Sequence, residues 1–306
     1  MANKYLKKLG LTIGHWVASG LSQDIAIDIF AQLSHRLGIS SVVATGRSGR
    51  FEGHPDDLVF QYYIREKDNN PELQRLIDRC LSDGPGVYVD IGANIGLTLV
   101  PIARRPGVAC YGFEPEPQNF ALLEANIRAN VPDAEVTLFK LALSTERAPL
   151  EFELDEENRG DHRVRGDTLI DTEKFGESGR KTITVEGAPL DDIIDVESIV
   201  GTCIIKIDTQ GGEVNVFRGG AKVFERADVV IAEFCPYLLL RMGTRVEDYL
   251  SFMRRFPFGA IVPDVIADPV VLTPMDNVIA ELECHVPLDG SAAKYLDLIL
   301  ARHRTL

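Results

Sequence analysis

No run of apolar residues in this sequence approaches the roughly 20 needed to span a bilayer, so no transmembrane segment is expected. Positive charge is also in short supply. Lys and Arg total 32 against 46 Asp and Glu, a formal net charge of −14. That balance opposes any groove that must displace counterions from a nucleic-acid backbone, and nucleic acid is not an expected partner. The five cysteines, Cys80, Cys110, Cys203, Cys235 and Cys284, are odd in number and never spaced C-x-x-C. They read as buried thiols in a reducing, cytoplasmic compartment rather than as a disulfide framework or metal cage. The basic start "KYLKKLGLTIGHWVASG" turns apolar but is broken by Gly10, Gly14 and His15, which favours an amphipathic packing helix over a cleaved signal. Internal repeats and low-complexity tracts are absent, and nothing in the pattern fixes an oligomeric state.

What is present changes character near residue 84. Residues 1–83 carry helical periodicity: "SQDIAIDIFAQLSHRL" opens on Ser22 as a cap, and "NPELQRLIDRCL" on Asn70-Pro71. The intervening "GRFEGHPDDLVFQYYIRE" suggests a short strand or turn and a helix from Pro55. From Val87, buried β-rich runs alternate with amphipathic helices: "GVYVDIG", "GLTLVPIARR", "VACYGFEP", "PQNFALLEANIRAN", "AEVTLFKLALS", then "CIIKIDTQGG", "EVNVFRGGAKVF" and "ADVVIAEF". That alternation predicts an α/β fold around a parallel sheet covered on both faces. The polar excursion at about 150–194 is too long for a plain connection and reads as a hairpin insertion or lid. Toward the end, "TRVEDYLSFMRRF" has Thr244 and Glu247 in capping-box spacing, and "GAIVP" and "YLDLILA" read as strands. The expected organisation is a helical extension over 1–83 and a ligand-binding domain over 84–306.

The chemistry centres on "VYVDIGANIGLTLV", a strand, glycine turn and helix at the sheet's carboxyl edge, where open α/β sheets bind ligands. The spacing is not G-x-G-x-x-G: Gly92 and Gly96 lack the middle glycine, and Asn94 stands in its place. An acid in the turn, Asp90, would repel pyrophosphate and suit a cation. S-adenosylmethionine carries an ammonium and a sulfonium and no phosphate. Glu114 closes the next strand, where a carboxylate can accept both ribose hydroxyls. It serves nucleoside sites of either kind.

In order and spacing, "VYVDIGANIG", "YGFEPEPQNFALLEANIRAN", "LALS", "PLDDII", "IIKIDTQGGEVNVFRGG" and "VVIAEF" resemble the FkbM family of S-adenosylmethionine-dependent methyltransferases. The resemblance spans approximately Asp57 to Phe234. It implies the class I methyltransferase (Rossmann-like) fold, a seven-stranded sheet with six strands parallel and one antiparallel and helices on both faces. By position it implies a first cofactor loop of Asp90, Gly92, Ala93, Asn94 and Gly96, with Glu114 as the ribose acid, and a sugar, glycan or polyketide-like hydroxyl as acceptor. One departure stands out: the family's usual K-I-D-V-E-G-x-E reads Lys206-Ile-Asp-Thr-Gln-Gly-Gly-Glu213, so Gln210 removes a carboxylate while Asp208 and Glu213 remain.

A hydroxyl acceptor needs a proton acceptor beside it. Asp208, at the end of "IIKID", is the first candidate for the active-site acid; Lys206, two residues earlier on the same side, is explained by a salt bridge to an acid. His162 in "NRGDHRVRG" is the candidate base, since imidazole titrates near neutrality. Glu233 and Arg163 are the residues expected to face substrate. Asp191-Asp192 and "DEEN" read as solvated faces, and no metal site is assigned; a divalent cation held near Asp208 is an open alternative. Two rival readings remain: a catalytically weak S-adenosylmethionine-binding protein, and an NAD-dependent sugar oxidoreductase. The second lacks its hydride-site pair, because no tyrosine has Lys four residues on.

Overall fold

The computed structural model describes residues 22–81, 84–166, 174, 176–262, 270 and 272–304. The N-terminal packing helix expected before Ser22 lies outside the described residues. The chain then forms α1 (Gln23–Arg36), a hairpin of β1 (Val42–Thr45) and β2 (Arg50–Gly53), α2 (Leu58–Glu66) and α3 (Pro71–Cys80). Ser22 and Asn70 cap α1 and α3 through their side-chain oxygens, and Pro71 fills the first turn of α3.

The main sheet is built from β3 (Gly86–Ile91), β4 (Val108–Phe113), β5 (Val136–Phe139), β10 (Thr202–Ile207), β11 (Val229–Phe234), β12 (Phe258–Ile261), β13 (Thr273–Pro274) and β14 (Leu296–Ala301). Its order is β13-β12-β14-β11-β10-β3-β4-β5. β5, β4, β3, β10 and β11 run parallel, while β14 is antiparallel to both β11 and β12. Seven of these strands match the expected set. The eighth, two-residue β13, pairs antiparallel on the edge of β12.

Successive side chains of one strand enter different cores, as the two-residue strand period requires. Val87, Val89 and Ile91 pack with Val216, Phe217, Phe224 and Phe252 on one face. Those aromatics come from α6 (Glu213–Gly219), α7 (Ala221–Arg226) and α9 (Val246–Met253). Tyr88 and Ile204 pack on the other face with Phe30, Phe60, Leu76 and Ile77. The segment before β3 therefore shares its apolar cluster with the sheet, alongside α4 (Leu99–Ala103) and α5 (Pro117–Asn130).

The β1–β2 hairpin is tied to α5 by two asparagines one helical turn apart. Asn126 accepts from the Glu52 amide at 2.7 Å and donates to its carbonyl at 3.0 Å, and Asn130 does the same with Arg50 at 2.9 and 2.8 Å. Each side-chain amide substitutes for a strand neighbour, so the short edge keeps its backbone satisfied.

The polar excursion folds as a second sheet. β6 (Ala142–Leu143), β7 (Ala148–Leu154), β8 (Arg163–Val164) and β9 (Lys181–Ala188) have the order β6-β9-β7-β8, with β7 and β9 forming a long antiparallel pair. The capping box expected at Thr244 does not form. Its hydroxyl donates to the Leu239 carbonyl at 2.8 Å, closing the turn after α8 (Pro236–Arg241), and α9 starts one residue later from Arg245 without a side-chain cap. Among the described residues no helix is long and apolar enough to cross a membrane. Cys110, Cys203 and Cys235 are buried, Cys80 is half-buried and Cys284 exposed, all as free thiols.

Candidate active site

The carboxyl ends of β3, β4, β10 and β11 open on a cavity of about 270 Å³. The turn after β3 forms its floor. Gly92 and Gly96 have φ of 84° and 88°, and Asn94 adopts the left-handed region at 49°. A Cβ at Gly92 would lie 2.0 Å from the Asp208 carbonyl oxygen, so the turn crosses the end of β10 too closely for any side chain. Asn94 can stand where the sequence lacks a glycine because asparagine tolerates this backbone and bonds locally. Its Oδ1 accepts from the Ile95 amide at 2.7 Å and its Nδ2 donates to the Arg159 carbonyl at 3.3 Å. Gly92, Ala93 and Asn94 all line the cavity.

Glu114, at the end of β4, faces this turn. Its Oε2 accepts from the Asn94 amide and its Oε1 from the Glu116 amide, both at 2.9 Å. Each carboxylate oxygen has two acceptor positions, so one on each remains for a diol. Burial pushes the Glu114 carboxyl up to about 8, against the two amides that favour its ionised form. This paired, pre-oriented carboxylate beside the glycine turn fits the ribose of a nucleoside cofactor.

Asp90 does not occupy the position its sequence context suggests. It is 1% exposed and lies behind the turn rather than among the described residues lining the cavity. Neither carboxylate oxygen has a hydrogen-bond partner among the described residues; the Lys206 ammonium is 3.8 Å away. Burial raises its pKa to about 6, with Lys206 opposing and Asp208 adding to the rise. Any attraction it exerts on a cationic ligand therefore acts through the wall and is shared with Lys206.

Lys206 also reaches Asp208 at 3.4 Å. Burial works against its charge, but Asp208, Asp90 and Asp297 together raise its pKa above lysine's ordinary value. Asp208 follows β10 directly, and its own amide donates to the Ile91 carbonyl at 3.0 Å, which places it beside Gly92. Its side chain lines the cavity and is 39% exposed. Gln210, at φ 55°, donates from one Nε2 to Asp208 Oδ1 at 2.8 Å and to Glu233 Oε2 at 3.0 Å. The residue that departs from the family pattern is thus a neutral bridge between two carboxylates. Glu213 works differently: its Oε1 accepts from the Thr209 amide and hydroxyl and from the Gly211 amide, so it builds the turn. Glu233 lies at the cavity edge, and burial, with Asp208, Glu213 and Asp297 nearby, raises its pKa well above the usual carboxyl range. The Tyr249 hydroxyl donates to the Glu233 carbonyl at 2.9 Å and steadies that strand end.

Asp297 completes the edge. The pairing of β11 with β14 sets it opposite Glu233. An antiparallel strand begins where its parallel neighbours end, so the acid in "YLDLILA" arrives at the site, a signal legible once that strand's direction is known.

Two adjacent residues of the insertion part company. His162 lines the cavity, but it is buried rather than solvated, and burial, helped by the Arg159 charge, lowers its pKa to about 4. Its Nδ1 accepts from the Asp155 amide at 2.9 Å, so in the neutral ring the hydrogen sits on Nε2, which has no partner among the described residues. This tautomer carries its hydrogen on a buried Nε2 and uses Nδ1 to hold the Asp155 amide, so neither nitrogen is the free proton acceptor expected of a general base. Arg163 turns the opposite way. It is 1% exposed and meets Glu153 at 3.4 Å, Asp161 at 3.2 Å and Glu177 at 3.5 Å. Glu153 is also held by Arg241 of α8 at 2.7 Å, and Glu177 by the Tyr237 hydroxyl at 2.7 Å. Arg163 therefore anchors the insertion to α8 and does not line the cavity. Arg159, which sequence reading passes over, does line it. Among the described residues, no group of three or more His, Cys, Asp or Glu is arranged to hold a metal ion.

A family model described as "Methyltransferase FkbM domain" matches residues 90–258, more than half of the chain. The chain belongs to the FkbM methyltransferase family. The FkbM match begins at Asp90 and takes in the glycine turn, Glu114, the second sheet and the Asp208–Glu233 edge. A curated relative, the 2-O-methyltransferase NoeI of Sinorhizobium fredii, is 23% identical over 227 residues, 68% of this FkbM chain and 88% of NoeI. Among solved structures, M. jannaschii TYW2 in complex with AdoMet is 13% identical, with a TM-score of 0.41 and coverage of 86% of this chain and 85% of that one. Precorrin-6y C5,15-methyltransferase from Geobacter metallireducens is 12% identical, with a TM-score of 0.35 and coverage of 76% and 88%.

Proposed function

We propose that this methyltransferase uses S-adenosylmethionine and methylates a hydroxyl of a sugar, glycan or polyketide-like small molecule. The observation that carries the cofactor reading is the Glu114 carboxylate, braced by the Asn94 and Glu116 amides beside a glycine turn that lacks the G-x-G-x-x-G spacing. The name of NoeI, a 2-O-methyltransferase, supports oxygen as the acceptor atom. S-adenosylmethionine supplies an electrophilic methyl group. Glu114 and the 92–96 turn would hold its nucleoside.

Asp208 is the group proposed to take the acceptor's proton. Gln210 and Lys206 each contact one of its oxygens and fix its orientation. Because Gln210 is neutral, its bridge places no further ionisable carboxyl group beside Asp208 and Glu233. Gln210→Glu should move the acid limb of the kcat–pH profile to higher pH, since a nearby carboxylate disfavours ionisation of its neighbours. An unchanged profile would detach Gln210 from the proton-accepting group.

Glu114 makes a second pH prediction. Ribose hydroxyls donate to the ionised carboxylate, so cofactor binding should lower a pKa that stands at about 8 in the free protein. Affinity for S-adenosylhomocysteine should therefore rise with pH and level off above about 8, with proton release on binding at pH 7. Calorimetry in buffers of different ionisation enthalpy reads that release directly, and Glu114→Gln should abolish it. The activity itself is tested by incubation with methyl-labelled S-adenosylmethionine and a metabolite or glycan extract. The expected product carries the label on oxygen; label on carbon or nitrogen alone would refute O-methylation.

A further inference from the structure

A second hollow of about 510 Å³ opens outward from the inner cavity, and Asn69, Asn70, Glu233 and Asp297 line both. Its outer wall adds Tyr62, Glu72 and Tyr295. Tyr62 and Tyr295 are 46% and 39% exposed, unlike Phe60 and Tyr63, which α2 buries. The wall holds aromatic faces together with amides and carboxylates, and none of the described residues lining it is Lys, Arg or His. Arg75 pairs with Glu72 at 2.8 Å outside the hollow, and Lys206, on the inner side, is committed to Asp90 and Asp208.

This chemistry selects by charge and shape. Carboxylates and amides accept and donate to hydroxyls, and exposed rings offer flat apolar faces to the C–H face of a pyranose. An anionic ligand would meet the carboxyl groups of Glu233 and Asp297, which burial pushes up toward their neutral forms, and a Glu72 already paired with Arg75. It would find no cation among the described residues of the wall to balance its charge. Resting on the methyltransferase reading above, we propose that the outer hollow is the acceptor site and takes a sugar ring that is neutral or carries an amine, seated against Tyr62 and Tyr295, while acidic sugars are rejected.

The test uses the full chain saturated with S-adenosylhomocysteine, titrated with mannotetraose, a glucosamine tetramer and a galacturonate tetramer. The neutral and amine-bearing tetramers should bind at least about tenfold more tightly than galacturonate, a gap of about 1.4 kcal/mol. Tyr62→Ala and Tyr295→Ala should each weaken mannotetraose binding while S-adenosylhomocysteine affinity and thermal stability stay unchanged. Glu72→Lys should narrow the gap to galacturonate. Galacturonate binding as tightly as the others, tyrosine variants without effect, or no tetramer binding to the loaded protein would overturn the acceptor assignment. Failure to bind S-adenosylhomocysteine at the outset would instead overturn the cofactor reading beneath it.

Discussion

Asp208→Asn is expected to lower kcat by about 10²–10⁴-fold, the range for removing a general base, while S-adenosylhomocysteine affinity stays near the native value. The asparagine keeps the shape and can still accept at one oxygen, so the contacts to Gln210 and Lys206 need not all collapse. What it loses is the capacity to take a proton from the acceptor hydroxyl. The location supports this role on three counts: Asp208 follows a buried parallel strand, touches the glycine turn through its backbone, and lines the cavity. A variant with unchanged turnover would exclude Asp208 as the base and return attention to Glu233 and Asp297 beside it. Equal loss of cofactor affinity would mark Asp208 as a cofactor-binding group instead.

Arg163→Met should cost about 3–5 kcal/mol of stability, because removing one partner of a buried ionic cluster strands the others. Glu153 and Asp161 are 3% and 6% exposed, and Glu177 is similarly enclosed. In a chain of this size the thermal midpoint should fall on the order of 10 °C. A substrate-facing Arg163, as the sequence alone suggests, predicts the reverse: an unchanged midpoint and a raised acceptor KM. Thermal melts and steady-state kinetics on one preparation separate the two.

That arginine illustrates where sequence reading stops. Hydrophobic alternation exposes the βαβ core because every parallel strand is buried on both faces and each carries its own apolar run. The turn glycines and Glu114 are legible because strand ends in such sheets converge on one edge. His162 and Arg163 are neighbours in a polar stretch, and a strand sends them to opposite sides; only the partner carboxylates on β7, on the turn at Glu177 and on the same turn as His162 decide which side is core. Of the β1–β2 hairpin only β2 lies in a stretch read as a short strand or turn; β1 is not expected from the sequence. The hairpin's four-residue strands carry little periodicity of their own, and the asparagines that complete them lie 74 and 80 residues away in α5. Gln210 looks like a lost charge when read against a family pattern. In the fold it spans Asp208 and Glu233, a role visible only once β10 and β11 lie side by side.

The cavity above β3 and β4 is proposed to be a nucleoside site built for S-adenosylmethionine rather than for a dinucleotide. Calorimetric titration of the native chain and of Glu114→Ala with S-adenosylhomocysteine and with NAD tests it most directly. The expected result is saturable binding of S-adenosylhomocysteine, marked weakening in Glu114→Ala, and no binding of NAD. Saturable NAD binding with no response to S-adenosylhomocysteine would contradict it.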